Sequence, residues 1–260
     1  MRLSAILLSS FAISGVFSQA TADPKAEGDA PVLAELFTSQ SCSSCPPAET
    51  FFSDLAERED LVVIEWHVDY WDDLVHGRDG NWVDPFSSPY NTIRQRDYNL
   101  ALRGMRSVYT PQAVIGGVGE TTGSQAHIVN QLIANAPTAS ASIEVASEAD
   151  TLAISVSTLE ETSTLDAEVM LVTLLPDQST DVLAGENKGR FLQSRNVAIA
   201  SDTLGAWTGK DETYRAPLMA EGYRCAIIVQ EPNTGRVLGV SYCDTANSSK
   251  IGRQSVQVSP

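Results

Sequence analysis

Residues 31–58 read PVLAELFTSQSCSSCPPAETFFSDLAER, which places a strand pattern, two cysteines and a helix pattern in direct succession. The first eight residues are mostly apolar, which is typical of a strand inside a sheet. After the cysteines come two prolines, which can occupy the first turn of a helix without the loss of a hydrogen bond. Apolar residues then recur at helical spacing. The stretch therefore predicts a strand, a turn that carries both cysteines, and a helix.

Cys42 and Cys45 are separated by two serines, a spacing that occurs both in redox-active disulfides and in zinc sites. At a helix N-terminus, the backbone N–H groups and the helix dipole favour a thiolate, which lowers the pKa of the first sulfur. We expect Cys42 to attack a partner sulfur and Cys45 to resolve the mixed disulfide that results. A metal site and a purely structural cross-link are the alternatives.

Strand and helix patterns alternate through residues 31–137. Further strands are predicted at LVVIEWHVDYW and PQAVIGG, and further helices at SPYNTIRQRDYNLALRG and after Ser124, with a polar loop over residues 72–84. This order is typical of an α/β domain. Short alternating runs follow and predict a small all-β antiparallel sandwich over residues 138–245, with a disordered tail at residues 246–260.

The N-terminal segment has the pattern of a secretory signal. Arg2 precedes an apolar run over residues 3–17, and Ala20-Thr21-Ala22 has the small residues that signal peptidase accepts, so residues 1–22 are expected to be removed. No later stretch approaches the ~20 apolar residues of a membrane span. We expect a secreted or periplasmic protein, a setting in which disulfides persist.

The charge balance of 17 basic and 33 acidic residues argues against nucleic acid and anionic membranes as partners.

Four segments carry a family resemblance: ELFTSQSCSSCPPAE, HVDYWD, DPFSSPYNTIRQRDYN and SVYTPQAVIGG. They resemble the exported DUF1223 proteins, a thioredoxin-like group without an established activity. The resemblance covers about residues 31–136 and continues less distinctly through ENKGRFLQSRNV. It implies a thioredoxin-like α/β domain ahead of the sandwich. It also implies that Pro111 is a cis-proline facing the disulfide and that Thr110 pairs with an extended substrate peptide.

Glu35 stands seven residues before Cys42. Thioredoxins carry a buried acid six residues before their first cysteine, and that acid exchanges protons with the second cysteine. The resemblance therefore implies two possibilities. Glu35 accepts a proton from Cys45, or it is a buried glutamate held by backbone donors.

Strict alternation on the second strand places Glu65, His67, Asp69 and Trp71 on one face. At the carboxyl end of this strand, His67 could stabilise a thiolate or pass a proton, with Asp69 holding its ring. Trp71 could form an apolar wall around the sulfurs and, together with Thr110 and Pro111, is expected to bind substrate. Alternatively, these residues hydrogen-bond the loop at residues 72–84.

Cys225 and Cys243 flank the turn EPNTG, and their midpoint, Thr234, lies inside that turn. The two cysteines should therefore face each other across a hairpin. In an exported protein this predicts a structural disulfide.

The sequence as a whole predicts a thiol-disulfide oxidoreductase. It would act on the thiols or disulfides of other exported proteins, with an unidentified redox partner and no cofactor. One alternative is a copper- or zinc-binding protein that uses Cys42, Cys45 and His67, since two thiolates and an imidazole suit these metals. A further alternative is a non-catalytic binding module.

Overall fold

The structure is a computed structural model and describes residues 30–79, 82–159 and 166–243. The predicted signal peptide and the predicted tail lie outside the described residues. The helices are α1 (Pro46–Leu55), α2 (Tyr70–Asp79), α3 (Pro89–Arg103) and α4 (Ala126–Ala134). The strands are β1 (Val32–Thr38), β2 (Leu61–His67), β3 (Gln112–Ile115), β4 (Gly119–Thr122), β5 (Ala141–Glu148), β6 (Thr151–Thr158), β7 (Ala167–Asp181), β8 (Phe191–Trp207), β9 (Glu212–Pro217), β10 (Arg224–Gln230) and β11 (Val237–Tyr242).

Local sequence accounts for the ends of the helices near the cysteines. α1 has prolines in its first turn, and Cys45 is its N-cap residue. α3 begins after Ser88, whose side chain accepts a hydrogen bond from the N–H of Tyr90, and ends at Gly104 in the left-handed conformation. The second strand is shorter than predicted. It ends at His67, and α2 occupies most of the segment that was expected to be a loop.

Among the described residues, eight strands form one mixed sheet in the order β11-β10-β7-β8-β2-β1-β3-β4. β2 lies parallel to both of its neighbours, β1 and β8, and the remaining pairs are antiparallel. The strands β5, β6 and β9 form a separate antiparallel sheet. β2 is buried along its whole length, as expected of a central strand.

Both faces of the large sheet are covered. On one face, Tyr98 of α3 packs with side chains from both halves of the chain, such as Trp66 and Val172. On the other face, α1 and α4 cover β1, β2 and β3. The three-stranded sheet covers β7 and β10 on that same face, where Ile154 packs against Val169 and Ile227. The core therefore lies on both faces of one continuous sheet, beneath α3 on one face and beneath α1, α4 and the three-stranded sheet on the other.

The predicted fold class, an α/β domain followed by a separate β-sandwich, is wrong. A thioredoxin-like α/β domain followed by an independent antiparallel sandwich would need sheets that are each confined to one half of the chain. Instead, the chain is mostly β, and β8 from the second half pairs in parallel with β2 from the first half through Glu65 and Val197. Local periodicity indicates that a segment is a strand but carries no information about a distant partner. The division at residues 137 and 138 stays a prediction.

Candidate active site at the Cys42–Cys45 disulfide

Cys42 and Cys45 form a disulfide with a Cα–Cα distance of 5.5 Å. Cys42 lies in the turn after β1, and Cys45 caps α1. Both cysteines have 0% exposure, whereas Ser43 and Ser44 between them are exposed. The Oγ of Ser44 lies 3.2 Å from the Sγ of Cys42. The bond therefore lies just below the surface, under the two serines.

A buried carboxylate lies one helical turn after the second cysteine. Glu49 follows Cys45 by four residues, so both are on the same face of α1. The hydroxyl of Thr38 donates to Glu49 Oε1 over 2.6 Å, and the residue is 2% exposed. Burial, reinforced by the negative charge of Glu65, raises the pKa of Glu49 to about 7, against the opposing effect of His67. Glu49 can therefore hold or release a proton near neutral pH.

His67 lies in the same buried layer and is linked to the cysteine turn. Its Nδ1 is 2.8 Å from Oδ2 of Asp84, which also accepts from the backbone N–H of Gln40 over 2.8 Å. Its Nε2 lies 3.9 Å from the carboxylate of Glu65. Burial lowers the pKa of His67, but the charge of Asp84 and its hydrogen bond outweigh burial and raise it to about 10. An imidazolium among carboxylates therefore lies beneath the disulfide turn.

Two residues predicted for the site have other partners. Glu35 lies on the opposite face of β1 from α1, with Arg94 Nη2 2.7 Å from its Oε1 and a hydrogen bond from the hydroxyl of Tyr98. Asp69 accepts from the hydroxyl of Thr92 over 2.5 Å. The structure therefore does not bring Asp69 to the ring of His67. The roles assigned to Glu35 and Asp69 stay predictions.

The three residues predicted to bind substrate lie together beside the cysteine turn. The peptide bond between Thr110 and Pro111 is cis, as the resemblance implies. The indole N–H of Trp71 donates to the hydroxyl of Thr110 over 2.7 Å, and the Thr110 carbonyl is 3.5 Å from Ser44 Oγ. Thr110 and Trp71 thus line one side of the turn, although their role in binding stays a prediction.

The loop between β7 and β8, residues 182–190, covers the other side of the turn. The carboxylate of Glu186 accepts from the N–H and the hydroxyl of Ser43, over 2.9 and 2.7 Å. The amide of Asn187 donates to the carbonyls of Gln40 and Cys42, over 2.9 and 2.8 Å. Residues 186–190 of this loop belong to ENKGRFLQSRNV, the segment that extends the family resemblance, which was the one available signal for it.

Sequence reasoning missed Glu49, and it did not single out Asp84, although the bond of His67 to Asp84 agrees with the alternative that His67 contacts the segment at residues 72–84. Glu49 belongs to the predicted helix, but no pattern distinguishes it from a solvent-facing acid at a helix start. Asp84 lies 17 residues from His67, and only the path of the intervening chain brings them together.

Among the described residues, no group of three or more His, Cys, Asp or Glu side chains is arranged to hold a metal ion.

The second cysteine pair also forms a disulfide. Cys225 and Cys243 face each other at the base of the β10–β11 hairpin, with a Cα–Cα distance of 5.2 Å. The N–H of Cys243 donates to the carbonyl of Cys225 over 2.8 Å. Neither cysteine begins a helix, which fits a structural bond.

A family model described as "Protein of unknown function (DUF1223)" matches residues 33–230. The chain belongs to the DUF1223 family. The matched residues of this DUF1223 protein run from β1 to β10. They include the cysteine turn, the buried carboxylates and the loop that carries Glu186.

Two solved structures are similar to this DUF1223 protein. A crystal structure of a protein from Agrobacterium tumefaciens has a TM-score of 0.70 and 24% identity, and the alignment covers 88% of this chain and all of the other. HBP35 of Porphyromonas gingivalis has a TM-score of 0.59 and 11% identity, with coverage of 91% and 82%. At these identities the likeness concerns the fold alone. No curated protein matches the chain.

The disulfides bear on location. Two disulfides are compatible with a place outside the cytosol, where such bonds persist. In the part of the chain that the structure describes, no helix is long and apolar enough to cross a membrane.

Proposed function

We propose that this DUF1223 protein is an exported thiol-disulfide oxidoreductase that acts on other exported proteins through Cys42 and Cys45. The observation that carries the proposal is the placement of the Cys42–Cys45 disulfide at the N-terminus of α1, with the titratable carboxylate of Glu49 one turn further. After removal of residues 1–22, the protein would be secreted or periplasmic.

The exchange proceeds in two steps. A partner thiolate attacks Sγ of Cys42, the Cys42–Cys45 bond breaks, and Cys45 leaves as a thiolate. A second thiolate of the partner then attacks the mixed disulfide, so that the partner becomes oxidised and Cys42 and Cys45 become thiols. The reverse sequence reduces a partner disulfide. In that direction Cys42 attacks, and Cys45 resolves the mixed disulfide.

Each step needs proton transfer at a buried sulfur. When Cys45 leaves, a protonated Glu49 can donate its proton to the thiolate, and in the reverse direction the carboxylate can accept it. A pKa of about 7 equips Glu49 for both directions near neutral pH. The positive charge of His67 stabilises negative charge in the same layer.

The experiment exploits the different roles of the two sulfurs. Cys45→Ser should accumulate stable mixed disulfides with exported proteins, because Cys42 attacks and no thiol resolves the complex. Cys42→Ser should accumulate few. Both variants are expressed as the full chain, and the trapped complexes are compared on non-reducing gels and identified by mass spectrometry.

The competing functions give other outcomes. Equal or absent trapping in the two serine variants would reject the oxidoreductase function. A metal-binding protein would instead lose Cu(I) or Zn(II) affinity in both serine variants and in His67→Ala, without covalent complexes. A non-catalytic module would show only a small change in stability.

A further inference from the structure

The contact between Glu186 and the cysteine turn has the geometry of strand pairing. The backbone N–H of Glu186 donates to the carbonyl of Ser41 over 3.1 Å, and the Glu186 carboxylate accepts from the N–H of Ser43 over 2.9 Å. In a parallel ladder, one residue donates to the carbonyl before its opposite residue and accepts from the N–H after it. Glu186 forms this pair of bonds around Cys42, with its side chain in the place of a main-chain carbonyl.

The pairing surrounds the sulfur that is expected to attack. Cys42 lies between Ser41 and Ser43, so a segment paired with these two residues runs directly beside it. Glu186 is exposed, whereas Asn187, which anchors the loop to the Gln40 and Cys42 carbonyls, is buried. Glu186 can therefore leave the turn while Asn187 keeps the base of the loop in place.

Two glycines shape the loop at this contact. Gly185 and Gly189 flank the contact residues and have φ angles of +80° and +82°, a region that other residues rarely adopt. A Cβ on Gly185 would lie 2.9 Å from the Cβ of Ser41, which is closer than two such atoms normally come. The close approach of the loop to the turn therefore requires glycine at position 185.

We infer that the Ser41 carbonyl and the Ser43 N–H, on either side of Cys42, form a main-chain docking site. Glu186 occupies this site in the structure, and the partner that displaces it is an extended polypeptide segment. The N–H of one partner residue donates to the Ser41 carbonyl, and its own carbonyl accepts from the Ser43 N–H. This is strand addition at a two-residue edge, and it sets a cysteine of the partner beside Cys42. The inference rests on the proposed exchange reaction and assigns its substrate class.

The test measures the rate of mixed-disulfide formation in the Cys45→Ser chain by intact mass. The probe is a symmetric disulfide of an eight-residue peptide with one cysteine and blocked ends. Cys42 attacks this disulfide, one peptide becomes bound, and the other leaves as a thiolate. A second set of peptides carries an N-methyl group at one backbone position at a time, on either side of the cysteine. Hydroxyethyl disulfide, which has no peptide backbone, is the small-molecule probe.

Glu186→Ala should raise the rate with the parent peptide about tenfold, because the Ser43 N–H loses its charged acceptor and the peptide has only the backbone bond to the Ser41 carbonyl left to displace. N-methylation at one position should abolish most of this gain. The gain with hydroxyethyl disulfide should be smaller. Glu186→Gln keeps the side-chain size and accepts more weakly, so it should give a smaller gain in the same direction. The control is Glu148→Ala, which removes an exposed glutamate paired with Arg215 on the smaller sheet.

A gain that is equal for all peptides and for hydroxyethyl disulfide would overturn the docking site, since Glu186 would then act only as a cover. Unchanged rates in both Glu186 variants would overturn it as well. In these cases the exchange function stands. Failure of every probe and every exported protein to form a mixed disulfide with Cys42 would instead overturn the proposed function.

Discussion

Two of the buried glutamates, Glu35 and Glu49, lie on opposite faces of the large sheet. Glu35 belongs to β1 and points to the side of α3, where Arg94 and Tyr98 hold its carboxylate. Glu49 belongs to α1 and lies on the side of the disulfide, bonded to Thr38. Residues in a strand alternate between faces, so Thr38 and Glu35, three positions apart, face opposite sides. For the proposed proton transfer at Cys45, Glu49 is therefore a better candidate than Glu35.

Glu49→Gln should change how stability depends on pH. The pKa of Glu49 is 4.5 in the unfolded chain and about 7 in the folded one, so between these values the folded protein binds more protons. The free energy of unfolding of the wild type should therefore fall as pH rises from 4.5 to 7, by about 2 to 3 kcal/mol from this group. The variant should lack this loss. Urea unfolding of both oxidised proteins across that range measures it.

The same two positions can be compared by reaction rate. Glu49→Gln should slow the release of Cys45 and alter the pH profile of exchange, whereas Glu35→Gln should alter mainly stability.

Parallel stability curves for wild type and Glu49→Gln between pH 4.5 and 7 would show that Glu49 does not titrate in this range. Most of this pH range lies below the range in which His67 changes the free energy of unfolding. Its raised pKa provides stability that is complete below about 6.5 and is lost as pH rises towards about 10.

At the scale of elements, the β10–β11 hairpin depends on its disulfide less than its loop length suggests. The bond between Cys225 and Cys243 closes 18 residues of chain, for which the loop-entropy estimate is about 3 kcal/mol. The two strands already pair through backbone hydrogen bonds, and β10 also pairs with β7. Part of the constraint is therefore present without the bond.

Replacing both Cys225 and Cys243 by alanine should lower the free energy of unfolding by about 2 kcal/mol. The measurement is urea unfolding, with Cys42 and Cys45 kept oxidised in both proteins. Trapping through Cys42 in a Cys45→Ser background should be unaffected and serves as the control. An unchanged unfolding midpoint would mean that strand pairing alone holds the hairpin, and a loss of trapping would connect this bond to the active site.

At the scale of the whole molecule, the core beneath α3 is shared between both halves of the chain. Residues of the first half, such as Trp66 and Tyr98, pack there with residues of the second half. The second half contributes Met170, Val172, Leu174, Ala198, Ala226, Ile228 and Val240. A fragment that ends at residue 137 would expose this face and the edge of β2 to water.

We therefore expect residues 30–137 alone to lack a cooperative unfolding transition, whereas residues 30–243 should unfold cooperatively. Near-ultraviolet circular dichroism and urea titration of both chains measure this. A cooperative transition and a dispersed NMR spectrum for residues 30–137 would instead support the predicted division into independent domains.

The sequence by itself was sufficient for the local features of the site. Apolar runs located β1 and β2, two prolines and helical spacing located α1, and turn residues between matched strands paired Cys225 with Cys243. The spacing of Cys42 and Cys45 also allowed their disulfide to be expected, while their exchange chemistry stays a prediction. All these inferences depend on residues close together in the chain, where backbone geometry alone limits the arrangement.

Tertiary structure decided the rest, because it depends on contacts between distant segments. β8 joins β2 across more than a hundred residues, which merges the two predicted domains into one sheet. The ring of His67 is held by Asp84 rather than by Asp69, because α2 turns the chain away directly after β2. Glu186 reaches Ser43 from the β7–β8 loop. Hydrophobic periodicity specifies which face of an element is buried but not which distant segment buries it, and in this protein that choice placed the groups around the disulfide.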